Sequence, residues 1–172
     1  MKVFYDFEFE ENGITIVPIT LGMVAESGQF LYLQNYNYNI NQANDWLQEN
    51  VINNLASNAS PDVSIYPDIV EESAFARKIL RFVKSLKADK IELVADYASY
   101  DHVALAQRFG RMIDMPNALP WLPYDIKQWE DDLGVTPPEQ VTTPHNALND
   151  ALYVKDRYEW LVKNYSHPAW SK

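Results

Sequence analysis

Asp6 and Glu8 are two carboxylates on a stretch of chain that is otherwise aromatic and apolar. Residues two apart in a β-strand point to the same side of the sheet. Close, unpaired anions repel each other, so such a pair needs a cation or a shared proton. Mg²⁺ and Mn²⁺ prefer carboxylate oxygen, and the pair therefore predicts a divalent-metal site. On the pattern alone, an exposed strand face is the alternative.

Three more residues could complete such a site. Asp101 follows a short apolar strand and opens a helix, a turn that presents side chains at the functional edge of α/β sheets. It could equally be a favourable charge at a helix N-terminus. His145 and Asp150 lie five residues apart at the start of the last helix, about 140° apart around its axis. They can border one site if His145 lies on a frayed end, and otherwise are a helix-start histidine and a solvated carboxylate.

Composition excludes several other chemistries. The 172 residues include no cysteine, so a thiol nucleophile and Cys-ligated zinc or iron–sulfur sites are excluded. With five glycines there is no Gly-rich phosphate loop, and neither a Gly-x-Ser-x-Gly nor a His-Glu-x-x-His motif is present. The net charge of −10 argues against coating nucleic acid through bulk electrostatics. It leaves open an enzyme that reaches nucleic acid through metal ions.

The first part of the chain predicts an antiparallel meander. Alternation predicts a strand over residues 3–9, and two more strands are predicted over 14–25 and 29–35, separated by Gly-containing turns. On the first strand, Val3, Tyr5, Phe7 and Phe9 share one face and Phe4, Asp6 and Glu8 the other.

Helices and a shorter strand alternate in the remainder. Helical spacing predicts helices over residues 41–54, 73–86, 100–109, 126–133 and 144–165, and an apolar run predicts a strand over 91–95. Ser99 and Thr143 are predicted N-caps, and Pro144 the first residue of the last helix. Proline-containing segments 56–67 and 112–123 predict loops. This order predicts a mixed-sheet α/β domain. Without a signal peptide or membrane span, a soluble cytoplasmic protein is expected.

In chain order the candidate residues spell Asp6-x-Glu8, Asp101 and His145-x-x-x-x-Asp150. This pattern resembles the DEDDh branch of the 3′–5′ exonucleases, within the RNase H-like superfamily. The segments 4–9, 100–105 and 145–151 are similar to the mycobacterial-type, RNase T-like 3′–5′ exoribonucleases, and their order and spacing match over nearly the whole chain. The resemblance implies a single exonuclease domain over residues 1–172, with a five-stranded mixed sheet flanked by helices.

The resemblance also implies a mechanism. Two divalent ions, Mg²⁺ or Mn²⁺, would lie about 3.5–4 Å apart. Asp6 would bridge them, Glu8 and Asp150 would complete one ion's shell, and Asp101 would hold the other. His145 would act as general base. The expected reaction is hydrolysis of single-stranded RNA or 3′ overhangs to 5′-monophosphates, and a homodimer is implied.

Other assignments rest on position alone. Phe9, Tyr97 and Tyr100 lie near the motifs and are candidate substrate-binding residues, with core packing as the alternative. Six of the 14 basic residues cluster on or just after one helix, as a solvated face or a guide for phosphates. Two other functions stay open: a DEDDh 3′–5′ exodeoxyribonuclease that acts on DNA, and a non-catalytic RNase H-like module that binds nucleic acid.

Overall fold

A computed structural model describes residues 1–55 and 65–165. Its centre is a mixed sheet in which six strands run in the order β4-β3-β2-β1-β5-β6. The strands are β1 (Lys2–Glu11), β2 (Ile16–Ala25), β3 (Phe30–Asn35), β4 (Asp68–Val70), β5 (Glu92–Ala95) and β6 (Tyr124–Asp125). β1, β2 and β3 form the predicted antiparallel meander, and β5 pairs with β1 in parallel.

Helices cover both faces of this sheet. They are α1 (Asp45–Asn50), α2 (Phe75–Ser85), α3 (Ser99–Gln107), α4 (Ile126–Leu133) and α5 (Ala147–Asn164). The alternation of β1 separates two apolar layers. Tyr5 packs in a core with residues of α2 and α3, whereas Phe4 packs on the other face with Trp129 of α4 and Tyr158 of α5. Asp6 and Glu8 therefore face the α5 side, as the alternation predicts.

The predicted count of five strands is wrong by one. β4 and β6 have three and two residues and are the edge strands of the sheet. Strands this short carry no periodic signal. Residues 56–64 of the predicted loop 56–67 lie outside the described residues, and residues 65–67 have no regular structure.

Of the five α-helices of the described chain, α4 alone has its predicted bounds, and α1 and α3 show how local capping moves the ends. α1 covers only six residues of the predicted 41–54. It begins at Asp45 because the Asn44 side chain caps it by accepting a hydrogen bond from the Leu47 amide at 2.9 Å. Short 3-10 turns, Ile40–Gln42 and Ile52–Asn54, flank it. α3 includes Ser99 itself, so Ser99 is not its N-cap. Among the described residues, no helix combines the length and apolarity needed to cross a membrane.

Candidate active site

The central strand β1 carries the first two candidate ligands. Asp6 is half-buried and Glu8 is buried, and both lie on the face that α5 covers. Directly after Glu8 the register with β2 shifts, so that Glu8 pairs with Thr20 but Phe9 pairs with Pro18. Such an irregularity re-aims the side chains that follow it. Phe9 borders the same cleft as the carboxylates, as Phe7 does before the shift, and it also packs against the core on the side of α2 and α3.

Gly22 brings α5 close to this pair. It pairs with Asp6 across β1 and β2, and a Cβ atom on it would lie 2.1 Å from the carbonyl oxygen of Ala147. No real Cβ contact is that short. A glycine is therefore required for the first turn of α5 to rest on the sheet. The small side chains of Ala147 and Ala151, both fully buried, complete this contact.

The start of α5 differs from the prediction in a way that matters for the site. The helix begins at Ala147, not Pro144, and its N-cap is Asn146, not Thr143. The Asn146 side chain accepts a hydrogen bond from the Asn149 amide and donates one to the Tyr32 hydroxyl at 3.1 Å. His145 just before it has a left-handed backbone (φ 57°), which ends helical geometry there. The predicted 140° separation therefore does not apply, and the His145 ring reaches Asp150.

Asp101 enters from the opposite side of the sheet. It lies in the first turn of α3 and is 6% exposed, and its carboxylate accepts a 2.7 Å hydrogen bond from the Phe7 amide of β1. A backbone bond from the residue between Asp6 and Glu8 therefore ties Asp101 to both. Its neighbour His102 is partly buried, with its ring nitrogens near the Tyr5 hydroxyl and the Trp121 carbonyl. His102 does not line the cleft.

These elements meet around one cleft of about 410 Å³. All eight residues singled out from the sequence line it: Asp6, Glu8, Phe9, Tyr97, Tyr100, Asp101, His145 and Asp150. Glu8, His145 and Asp150 come closest, with ligand atoms all within 4.8 Å of one another. Two carboxylates and one imidazole at that spacing can share one divalent cation.

The carboxylates of the cleft are strongly perturbed. Burial raises the pKa of Asp6 well above its usual value, and the charges of Asp101 and Glu8 raise it further. Burial and then the Asp150 charge raise the pKa of Glu8 in the same way. The pKa of Asp101 is raised to about 7, chiefly by burial, although the Phe7 amide opposes the shift. Burial also raises the pKa of Asp150, against hydrogen bonding from Gln140 and the charge of His145.

In the part of the chain that the structure describes, no lysine or arginine balances the four carboxylates. Within residues 1–55 and 65–165, none of them forms an ion pair with lysine or arginine. Four partly or fully buried acids without a lysine or arginine partner among the described residues, and with one imidazole beside two of them, match the donor set of a divalent metal. The residues present therefore fit the metal that the sequence pattern predicts.

Aromatic rings form one wall of the cleft. Phe9 and Tyr100 are nearly parallel, with an interplanar angle of 10° and ring centroids 6.0 Å apart. Tyr97 and Tyr100 are 68% and 56% exposed, so these two tyrosines are not core residues. On the other side, the Trp46 ring meets the His145 ring edge-on at 5.0 Å. Exposed rings beside a phosphate-directed site can stack bases.

Several residues of the cleft escape sequence reasoning. Gln140 donates a 2.5 Å hydrogen bond to Asp150 from a loop without any motif. Asp96 lines the cleft at the end of β5 and is held by Arg157, whose guanidinium also binds Glu130 at 2.6 Å. One signal for Arg157 is visible in the sequence, because this cation falls on the apolar stripe of α5. The Arg157–Asp96–Glu130 group is called the arginine network below.

Comparison with known proteins identifies two relatives. Two proteins from strains of Mycobacterium tuberculosis, each named a 3′–5′ exoribonuclease, are 34% identical over 156 residues, covering 88% of this chain and 87% of theirs. No protein-family model matches the chain. Among solved structures, the Mg²⁺- and Mn²⁺-bound form of Pop2p from S. pombe aligns with a TM-score of 0.56 at 13% identity. That alignment covers 95% of this chain and 83% of Pop2p, and it shows a shared RNase H-like fold.

Proposed function

The chain belongs to the 3′–5′ exoribonuclease family of its two mycobacterial relatives, and we propose that it trims single-stranded RNA or 3′ overhangs in a divalent-metal-dependent reaction. It is accordingly a hydrolytic 3′–5′ exonuclease. The proposed products are nucleoside 5′-monophosphates, and the proposed site residues are Asp6, Glu8, Asp101, His145 and Asp150.

One observation carries the proposal. Four carboxylates from β1, α3 and α5 converge on one cleft with no lysine or arginine partner among the described residues. A structural ion network would balance these charges internally. A site that binds metal ions and, through them, an anionic substrate leaves its acids unpaired.

Each residue has a distinct proposed role. Asp6, Glu8, Asp101 and Asp150 would hold two divalent ions, Mg²⁺ or Mn²⁺. When bound, such ions supply charge stabilisation at the phosphoryl oxygens and lower the pKa of a coordinated water. His145 takes the proton from the attacking water, since imidazole is the side chain that most often serves as a general base. Gln140 donates a hydrogen bond to Asp150 and so fixes the orientation of that carboxylate.

The polarity of cleavage follows from where the bond breaks. Water attacks the last phosphodiester in line with the departing 3′ oxygen of the penultimate sugar, so the phosphate stays with the released nucleotide. The aromatic wall of Phe9, Tyr97 and Tyr100 would stack the terminal bases. A domain with a net charge of −10 is poorly suited to bind the phosphate backbone of a long duplex. The proposed substrates are therefore single-stranded ends.

Two other functions remain distinct alternatives. A DEDDh exodeoxyribonuclease would use the same ligands, because they contact phosphate and not the ribose 2′-OH. A non-catalytic RNase H-like module usually loses acidic ligands, and this chain keeps all five motif positions. We further propose that residues 1–172 act as one domain and pair as a homodimer, for which sedimentation at twice the chain mass is the expected result.

The test uses RNA and DNA of matched sequence, each with a 3′ or a 5′ label, incubated with and without Mn²⁺. We expect stepwise shortening from the 3′ end, release of 5′-monophosphates, a faster rate on RNA and no cleavage in excess EDTA. Full activity in EDTA, cuts in circular single-stranded RNA or products with 3′-phosphates would contradict the mechanism. Equal rates on DNA would contradict only the preference for RNA.

A further inference from the structure

The outer face of α2 carries positive charge that the catalytic cleft does not use. Phe75, Ile79, Phe82 and Val83 are the buried residues of this helix. Arg77, Arg81 and Lys84 are exposed. Spaced four and three residues apart, they lie within about 60° of one another around the axis and span about 10 Å along it. These three residues are called the basic stripe.

The stripe differs from most basic residues of the described chain, because none of its three cations forms an ion pair there. Eight other basic residues form ion pairs: Lys2, Lys78, Lys90, Arg108, Arg111, Lys127, Lys155 and Arg157. For the stripe, no carboxylate in the described parts of the chain comes within the 4.0 Å of an ion pair.

Helix stability alone does not explain the stripe. Like charges three and four residues apart on a helix repel each other. The chain has 24 acidic residues against 14 basic ones, yet no acid lies three or four positions from any stripe residue. Lys84 lies in the last turn of α2, where the helix dipole favours a cation, so the cost in stability falls on Arg77 and Arg81. Neighbouring cations that repel each other, in a protein with 24 acidic residues, are typical of a surface that binds an anion.

The stripe also borders a groove with an aromatic residue. Ala76, Arg77, Leu80, Arg81, Lys84 and Phe109 line an open groove of about 490 Å³. Phe109 is half-buried and packs against the core. Cations that follow a groove, together with an aromatic side chain, are the features by which proteins bind single-stranded nucleic acid.

Helix α3 connects this groove to the catalytic cleft. Its first turn carries Tyr100, which lines the cleft, and Phe109 follows its last turn. The nine residues of α3 span about 14 Å. A strand that leaves the cleft past Tyr100 and follows α3 therefore reaches the stripe a few nucleotides upstream of its 3′ end.

We propose that the basic stripe and its groove form an exosite that binds the phosphate backbone of the substrate RNA upstream of the cleft. The inference rests on the proposed exoribonuclease function and adds how the enzyme selects longer substrates. Contacts to phosphate carry no base specificity, so the exosite strengthens binding of any strand long enough to reach it. A trinucleotide fills only the cleft and gains nothing from the stripe.

The test compares two triple variants with the same charge change. Arg77→Gln/Arg81→Gln/Lys84→Gln removes the stripe, and Lys127→Gln/Lys155→Gln/Lys163→Gln removes three positive charges from α4 and α5. We expect the stripe variant to raise KM for a 20-nucleotide RNA about tenfold, with kcat unchanged. Three lost phosphate contacts should reduce the slope of log KM against log salt by about 2. Kinetics on a trinucleotide should match wild type.

Equal KM values for the two triple variants on the long RNA would overturn the proposal, as would an equal loss on the trinucleotide. Anisotropy of a labelled 20-nucleotide RNA measures binding without turnover, in an Asp6→Asn background. If the stripe variant binds the RNA more weakly than wild type, but wild type never cleaves it, the proposed function is contradicted and the exosite is not. If wild type cleaves RNA, but the stripe variant shows the same slope of log affinity against log salt as wild type, only the exosite is contradicted.

Discussion

Two clusters of charged side chains border the same cleft, and they are balanced in opposite ways. In the arginine network, one guanidinium is held between the carboxylates of Asp96 and Glu130. Burial alone would lower the pKa of Arg157, but the hydrogen bonds that its guanidinium donates to both carboxylates outweigh burial and raise that pKa. In the other cluster, burial and mutual repulsion raise the pKa values of the acids, and no guanidinium or ammonium from the described chain reaches them.

The contrast separates structural charge from functional charge. The arginine network is complete within the protein and joins α5, α4 and the end of β5. Its loss should therefore appear as lost stability. Under the proposed function a cation from solution completes the carboxylate cluster, so the metal-free protein holds these repelling acids at a cost in stability. Its loss should appear as lost activity, with stability unchanged or improved.

Asp6→Asn, in the carboxylate cluster, should cause the largest loss of activity. The change removes the central carboxylate at constant volume, and we expect turnover to fall on the order of 10⁴-fold or more, because metal stabilisation of the transition state is worth several kcal/mol. The melting temperature in EDTA should rise slightly, because the substitution relieves the repulsion between residue 6 and Glu8. Near wild-type cleavage would place the site elsewhere in the molecule.

His145→Ala should have the next largest effect. Loss of a general base lowers turnover by about 10²–10⁴ while metal affinity is largely retained. The ring also lies within ligand distance of Glu8 and Asp150, so metal affinity must be measured in parallel by titration calorimetry. Equal losses of rate and metal affinity would make His145 a ligand and remove it from the role of base.

Arg157→Met tests whether the arginine network stabilises the fold. It leaves Glu130, which is 1% exposed, without its partner, and removing one member of a buried pair costs about 3–5 kcal/mol of unfolding free energy. Urea denaturation in EDTA measures the effect. Arg111→Met, which breaks the exposed pair with Asp114, is the matched control and should change little. A variant as stable as wild type would contradict the structural role.

The smallest effect concerns pH. An acid whose folded pKa is raised stabilises the fold below its unfolded pKa near 4, and this stability is lost as pH rises through the folded value. For Asp101 that window extends from about 4 to about 7. We therefore expect the metal-free protein to melt at a lower temperature at pH 8 than at pH 5, and Mn²⁺ to reduce the difference. Asp101→Asn should flatten the profile by about 1–2 kcal/mol. An unchanged slope would exclude Asp101 as its source.

Sequence reasoning predicted the parts of this molecule that have strong local signals. The alternation along β1 predicted which face carries Asp6 and Glu8, and α4 matches its predicted bounds with Gly134 at its end. β4 and β6 were missed because pairing with a longer neighbour, and not local pattern, makes them strands. The start of α5 was misplaced because the Asn146 cap and the turned backbone at His145 depend on tertiary contacts.

For the site, the motif residues could be selected from the sequence, while their supports could not. Gln140 and Asp96 reach the cleft through loop geometry that no spacing rule describes. The close packing of Ala147 on Gly22 joins positions 125 residues apart in the chain, and nothing near either residue predicts it. The catalytic roles themselves stay predictions until the variants above are measured.

That packing also has a consequence for the order of folding. The cleft needs residues from β1, near the start of the chain, and from α5, made long afterwards, so its closure is a contact of high sequence separation. The meander can pair early from local contacts, but α5 can dock only once Gly22 lies in correct register with Asp6. During refolding, secondary structure should therefore recover before hydrolysis does. Recovery of enzymatic activity during refolding therefore reports the docking of α5 on the sheet.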